Sequence, residues 1–275
     1  MRRWLLGIAV LAVASTSYED SIRAWQQHRD VGLRAPDGWL TLVGLFWLKP
    51  GANTIGSAAS NDFVLPKNAA SHVGTFRLEG DKVTFGGKSL SYDDLHPDVI
   101  EKGTLSLLVI KRAGRFAVRA RDTASPVRKN FRGMRYFPVN PTLHFQAKLI
   151  PDVQKIPILN IIGQTEMEES PGWVEFSFEG RPYRLRPIYE ETAHGRTLYF
   201  LFKDSTNKTQ TYQAGRMLNT PLAVNGIVDL DFNRSYTPPC AFTPYATCPL
   251  PPKENRLPIA IEAGELRYPE KPGTD

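Results

Sequence analysis

From residue 38 onward, apolar and polar positions alternate in short runs, and turns marked by proline and glycine separate the runs. Successive strand side chains point to opposite faces, so this period of two predicts half-buried β-strands. The predicted strands fall at 40–47, 53–55, 62–65, 73–78, 82–85, 105–111, 115–121, 142–149, 173–178, 181–186, 197–202, 210–213, 228–232 and 257–262. Helical patterns are almost absent between them. Parallel strands need long crossovers, usually helical, so a parallel α/β sheet is excluded. The expected fold is mainly β, an antiparallel β-sandwich or barrel with one N-terminal amphipathic helix and a Pro-rich C-terminal loop.

The helix is predicted over 18–33, where Ile22, Trp25, Arg29 and Leu33 recur at helical spacing behind Ser17 or Asp20 as a cap. Trp25 is expected to pack on the sheet that follows. The stretch 121–141 carries Pro126, Gly133, Pro138 and Pro141 and is the best internal boundary. It lies within one β-rich unit, 15–267, and would separate submodules at 18–121 and 142–267. A Pro-rich, polar loose tail is expected at 268–275.

Before the helix, Arg2 and Arg3 precede an apolar run from Trp4 to Val13 that ends in Ala12-Val13-Ala14. A cation, a short apolar core and small residues are the parts of a secretory signal peptide, 1–14, cleaved after Ala14. The run is shorter than the roughly 20 residues a spanning helix needs. The expectation is an exported chain, periplasmic or secreted, with no integral membrane span after cleavage. The formal charge is +6, two units of which sit on Arg2 and Arg3. No basic block is interleaved with aromatics, so a nucleic-acid partner is not expected.

Cys240 and Cys248 are the two cysteines. In an oxidising compartment they most simply form a disulfide, worth roughly 2–3 kcal/mol for so short a loop in the chain-entropy model. A zinc site is the weaker alternative, because the spacing lacks C-x2-C pairs and a nearby histidine. Two free thiols are the third.

Candidate chemistry concentrates near the C-terminus. Along the predicted strand 228–232, Val228, Leu230 and Phe232 share one face, whereas Asp229, Asp231 and Asn233 share the other. Three oxygen-bearing side chains could hold a hard cation or do acid/base work. Alternatively Asp231 and Asn233 fasten the proline-rich loop to the sheet through buried hydrogen bonds, with Arg234, Arg216 or Arg256 as partners. Glu254 and Glu262 complete the catalytic candidates, and Arg216, Asn233, Arg234, Tyr236, Asn255 and Arg256 are the ligand-binding candidates. A second feature is basic. Arg115, Arg119 and Arg121 share one strand face, and Arg184 and Arg186 another, which suits either a solvated surface or an anionic ligand. The histidines are scattered, and no H-E-x-x-H, G-x-S-x-G or Gly-rich phosphate loop occurs. No metal or cofactor is therefore expected.

The blocks Ala35-Pro36-Asp37-Gly38-Trp39-Leu40 through Leu48, Phe131-Arg132-Gly133, Ser170-Pro171-Gly172, Thr211 to Arg216, Asp231 to Phe242, Glu254 to Leu257 and Glu262 to Glu265 resemble a bacterial family, domain of unknown function 1684. That resemblance implies no activity. Ile55-Gly56-Ser57, Asn61 to Leu65 and Ser71-His72, within 53–78, are similar to a forkhead-associated module, which holds phosphothreonine through an arginine after the glycine. Ser57 stands at that position, removing the bidentate cation such binding needs.

Three functions follow as expectations. The first is a non-enzymatic exported protein binding a small anionic ligand in a pocket under the C-terminal loop. The second is a hydrolase or isomerase using Asp229, Asp231, Glu254 or Glu262, with or without a divalent ion. The third is a structural or interaction module of the cell envelope.

Overall fold

A computed structural model describes residues 3–268, with side chains from Tyr18 onward. The first element is α1 (Arg3–Arg34). It contains the predicted helix and runs through the stretch expected to be a signal peptide. No helix among the described residues is long and apolar enough to cross a membrane.

After a short 3-10 turn at Trp39–Thr41 come β1 (Leu42–Trp47), β2 (Gly51–Gly56), β3 (Phe63–Val64), β4 (Gly74–Glu79), β5 (Lys82–Phe85), β6 (Lys88–Ser89), β7 (Val99–Lys102), β8 (Leu105–Arg112) and β9 (Arg115–Asp122). They form two sheets, ordered β1-β9-β8-β7 and β3-β2-β4-β5-β6, antiparallel except for the β2–β3 pair. Leu107, Val109, Phe116 and Val118 from the first sheet pack on Ile55, Phe76 and Val83 from the second. Alternation puts Leu108, Ile110, Ala117 and Arg119 on the opposite face of the first sheet.

A short α2 (Pro126–Asn130) leads to β10 (His144–Leu159), β11 (Thr165–Phe178), β12 (Arg181–Leu185), β13 (Ile188–Thr192), β14 (Gly195–Phe202), β15 (Arg216–Thr220) and β16 (Ile227–Asp231). Their sheets are ordered β12-β11-β10-β16 and β13-β14-β15. Val174, Phe176, Phe200, Phe202, Leu230 and Phe232 fill the core between them. The far side of β14, with Tyr199 and Leu201, packs with Ile158, Ile188, Met217 and Cys248. The architecture is thus mainly β with antiparallel sheets and one N-terminal helix, and no sheet closes into a barrel.

Several expected details differ. Residues 210–213 form a turn, and 257–262 run as irregular chain. The backbone of the second stretch bonds in part to a neighbouring loop, Leu257 N–H donating to the Lys203 carbonyl (2.7 Å) and Ser205 N–H to that of Ile259 (2.9 Å), and in part to a side chain, Arg216 donating to the Ile261 carbonyl (2.8 Å) and, just beyond, to that of Ala263. The predicted strand at 142–149 is only the start of β10, which passes Pro151 and Pro157 through an irregularity between Pro151 and Gln154. Trp25 meets the ring of Tyr136 edge-on at 6.3 Å and does not lie on a strand. Buried Glu265 anchors the helix instead, accepting from Arg29 Nε at 2.8 Å and from the Thr237 N–H at 2.7 Å. Of the expected tail, Tyr268 packs its ring on Phe131 and Phe242; residues 269–275 lie outside the described residues.

Candidate functional site

The C-terminal candidates separate into two groups. Four of them bind the fold to itself. Arg216 is fully buried, pairs with Asp204 at 2.5 Å and also donates to Ser235. Asn255 accepts from the Arg186 N–H at 2.7 Å and donates to the carbonyls of Arg186 and Leu201. Asp231 accepts from Tyr18 at 3.0 Å and from the Asn233 N–H, and Asn233 in turn donates to the carbonyl of Asn140. These are the buried clasps the sequence offered as the alternative to a site, although Arg256 takes no part in them and Arg234 only approaches Asp231 at 3.4 Å.

The other group is dispersed. The strand β16 ends at Asp231 and turns into a 3-10 helix at Phe232–Arg234, so the expected single face of three oxygens is broken. Asp229 meets His144 Nε2 at 2.5 Å and Gln146 at 3.0 Å on the exposed side. Glu254, Arg256 and Glu262 are exposed. No group of three or more metal-ligating side chains is assembled among the described residues. Beneath the proline-rich loop the free volume is about 10 Å³, lined by Leu201, Met217, Cys240 and Pro251, which is space for about one water. Cys240 and Cys248 stand as free thiols, with the Cys240 N–H 3.2 Å from the Cys248 sulfur. In the stretch 53–78, Ser57 donates to the Ala69 carbonyl and Asn61 to those of Ala58 and Ser71, fastening the loop. Arg184 and Arg186 stack on Trp173, and Arg186 pairs with Asp152 at 3.0 Å.

The remaining basic strand, β9, is different. Its outward face forms one wall of a cleft of about 690 Å³; the facing wall comes from β11, β13 and β14 and from the far end of the proline-rich loop. Arg119 sits at the centre of that strand and is only 6% exposed. Its cross-strand neighbours are Leu45 and Leu108, and neither side chain can accept a hydrogen bond. The guanidinium lies 5.2 Å from the Trp39 ring, and its Nε has no partner. Burial, reinforced by the like charges of Arg112 and Arg121, pushes its pKa down to about 10, so it remains a cation at neutral pH. Cation–π attraction contributes about 0.5–2 kcal/mol. Desolvating a charge costs several kcal/mol, so the stack leaves Arg119 under-compensated.

Two more donors in the same cleft share this condition. Arg121 Nε is buried without a partner. Asn160 accepts from the N–H groups of Ile162 (3.1 Å) and Gln164 (3.0 Å) through Oδ1, while its buried Nδ2 donates to nothing. Buried polar atoms are nearly always paired. Three residues that line one cleft thus each carry a buried N–H donor without a partner.

The facing wall carries Glu166, Glu168 and Glu190. Glu166 accepts from the Ala113 N–H at 2.8 Å, tying β11 to the β8–β9 turn. Burial, then the charge of Glu166, raises the Glu168 pKa. Burial raises that of Glu190 too, partly offset by a hydrogen bond from Asn219. Of these lining residues only Arg119 and Arg121 stood out in the sequence. Glu166 and Glu168 carry a usable signal, since they alternate about Met167.

Among known families, the one described as protein of unknown function, DUF1684, matches residues 129–266. That span holds Asn160, Glu168 and Glu190, whereas Trp39, Arg119 and Arg121 lie outside it. No curated protein matches. A solved structure, the solution NMR structure of an uncharacterised protein of Haloarcula marismortui, is 29% identical over 50% of this chain and 78% of that one, with a TM-score of 0.41.

Proposed function

We propose, from the premise that the chain belongs to the DUF1684 family of proteins of unknown function, that it binds a small anionic molecule in the cleft between its two sets of sheets. The observation that carries this reading is the trio of buried, unpaired donors on Arg119, Arg121 and Asn160. Two guanidiniums suit a carboxylate or phosphate, whose oxygens accept several N–H groups at once. The volume of about 690 Å³ lies in the usual range for a small-molecule site, roughly 300–1,000 Å³. The proline-rich loop serves as a side wall through Pro239, Thr247 and Pro249.

The test is isothermal titration of the whole chain with inorganic phosphate and with 3-phenylpropionate, repeated on Arg119→Met. Binding by the native chain and its loss in the variant is the expected result. Equal binding by the two proteins, or no binding of either anion, would refute the reading.

Export belongs to the same proposal. It is supported by the charged and apolar pattern of the first residues, and it would allow the neighbouring Cys240 and Cys248 to pair. Alkylation of protein isolated from the cell envelope without reductant should then modify neither thiol; modification of both would count against the disulfide.

A further inference from the structure

The cleft is dipolar. Arg119 and Arg121 stand on β9, while Glu168 and Glu190 stand on β11 and β13, and among the described residues no ion pair crosses between the two walls. Arg112 pairs on its own side, with Asp94 at 2.9 Å. The Glu168 carboxylate accepts no hydrogen bond among the described residues. The charge of Arg112 partly offsets the rise in the Glu168 pKa, and that of Asp94 the fall in the Arg119 pKa, but the opposite charges of the two walls face a common space with no contact ion pair between them.

Glu190 is a built acceptor. One of its carboxylate oxygens takes a hydrogen bond from Asn219 Nδ2, and the Asn219 Oδ1 accepts from the Tyr236 hydroxyl at 2.6 Å. The Tyr236 ring in turn lies under the Arg29 guanidinium at 4.7 Å. This relay fixes the amide orientation and holds the carboxylate in place, and its second oxygen accepts no hydrogen bond among the described residues. Between the charged walls, Ile158, Ile188 and Met217 supply an apolar floor.

We infer that the ligand is a zwitterion on an apolar body, an amino acid or short peptide, whose carboxylate meets Arg119 and Arg121 and whose ammonium meets Glu190 and Glu168. Such a molecule neutralises both walls at once, whereas a simple anion neutralises one and leaves the other desolvated. The inference rests on the anion-binding reading and adds the second pole.

The experiment titrates the whole chain with L-phenylalanine and L-leucyl-L-phenylalanine, and with 3-phenylpropionate, which retains the carboxylate and ring but lacks the ammonium. At least one zwitterion should bind about tenfold or more tightly than 3-phenylpropionate, the scale of a hydrogen-bonded charge contact. Glu190→Gln keeps an oxygen for Asn219 and should remove that advantage, so that zwitterions and 3-phenylpropionate bind with similar affinity; Glu168→Gln should reduce it. If 3-phenylpropionate binds as tightly as both zwitterions, the acidic wall recognises nothing and this inference fails while anion binding stands. If phosphate alone binds, the outcome is the same. If no anion binds, both readings fall together.

Discussion

A buried guanidinium without an acceptor should weaken the empty protein, which separates Arg119 from an ordinary structural residue. Methionine fills a similar volume without the charge. Arg119→Met should therefore raise stability by roughly 1–3 kcal/mol, as replacement of buried ions by apolar groups commonly does. Denaturant unfolding reads this directly, and a variant less stable than the native chain would assign Arg119 to the scaffold. Glu168 permits a test by pH. Its pKa in the folded chain lies above the ordinary 4.5, so the folded state holds its proton longer than the unfolded one. The associated stability is complete below the unfolded pKa and is lost as pH rises through the folded value. Glu168→Gln should flatten that decline, so melting curves of the two proteins should coincide near pH 4 and diverge towards neutrality. The sequence shows that Arg119 and Arg121 share a polar face. It does not show that the face is covered, because burial comes from β11, β13 and the loop, all distant in the chain. Conversely, Arg216 and Asn233 read as ligand contacts in the sequence because a charged or amide group beside prolines looks the same whether it grips a ligand or the protein's own carbonyls.

At the scale of elements, strands with clean alternation were legible: 82–85 coincides with β5, and 105–111 and 115–121 fall one residue short of β8 and β9. What escaped were β6, β7, β13 and β15, the first half of β11 and the long second half of β10. Pro151, Pro157 and a run of exposed polar residues obscure the last of these. The 3-10 turn at Trp39–Thr41 was merged with β1, yet it is the element that carries the indole under Arg119. Its approach depends on Gly38. A Cβ there would lie 2.5 Å from the carbonyl oxygens of Gly32 and Leu33 at the end of α1. Gly38→Ala should lower the melting temperature and, by displacing Trp39, weaken anion binding, although Gly38 is not part of the cleft wall. Unchanged affinity in the folded variant would detach the turn from the site.

Across the whole molecule, the antiparallel class and the absence of crossover helices were readable from periodicity alone. The division of labour was not. One core is drawn from residues 55–120 and the other from 143–263, and the cleft forms where neither core reaches. Patterns within a strand report which side faces inward, but the meeting of two sets of sheets depends on how both are docked. The Glu166 contact with the β8–β9 turn ties the two sets together.

The stack of Arg119 on Trp39 gives the protein a built-in optical probe. A cation held against an indole alters the energy of its excited state, and drawing that cation towards an incoming anion would change the emission. Titration with 3-phenylpropionate should shift the tryptophan fluorescence of the native chain, and Trp39→Phe should abolish the shift while Trp47 and Trp173, each stacked on another arginine, continue to emit as before. A response that survives in Trp39→Phe would mean the light comes from elsewhere and that the cleft is not where the anion goes.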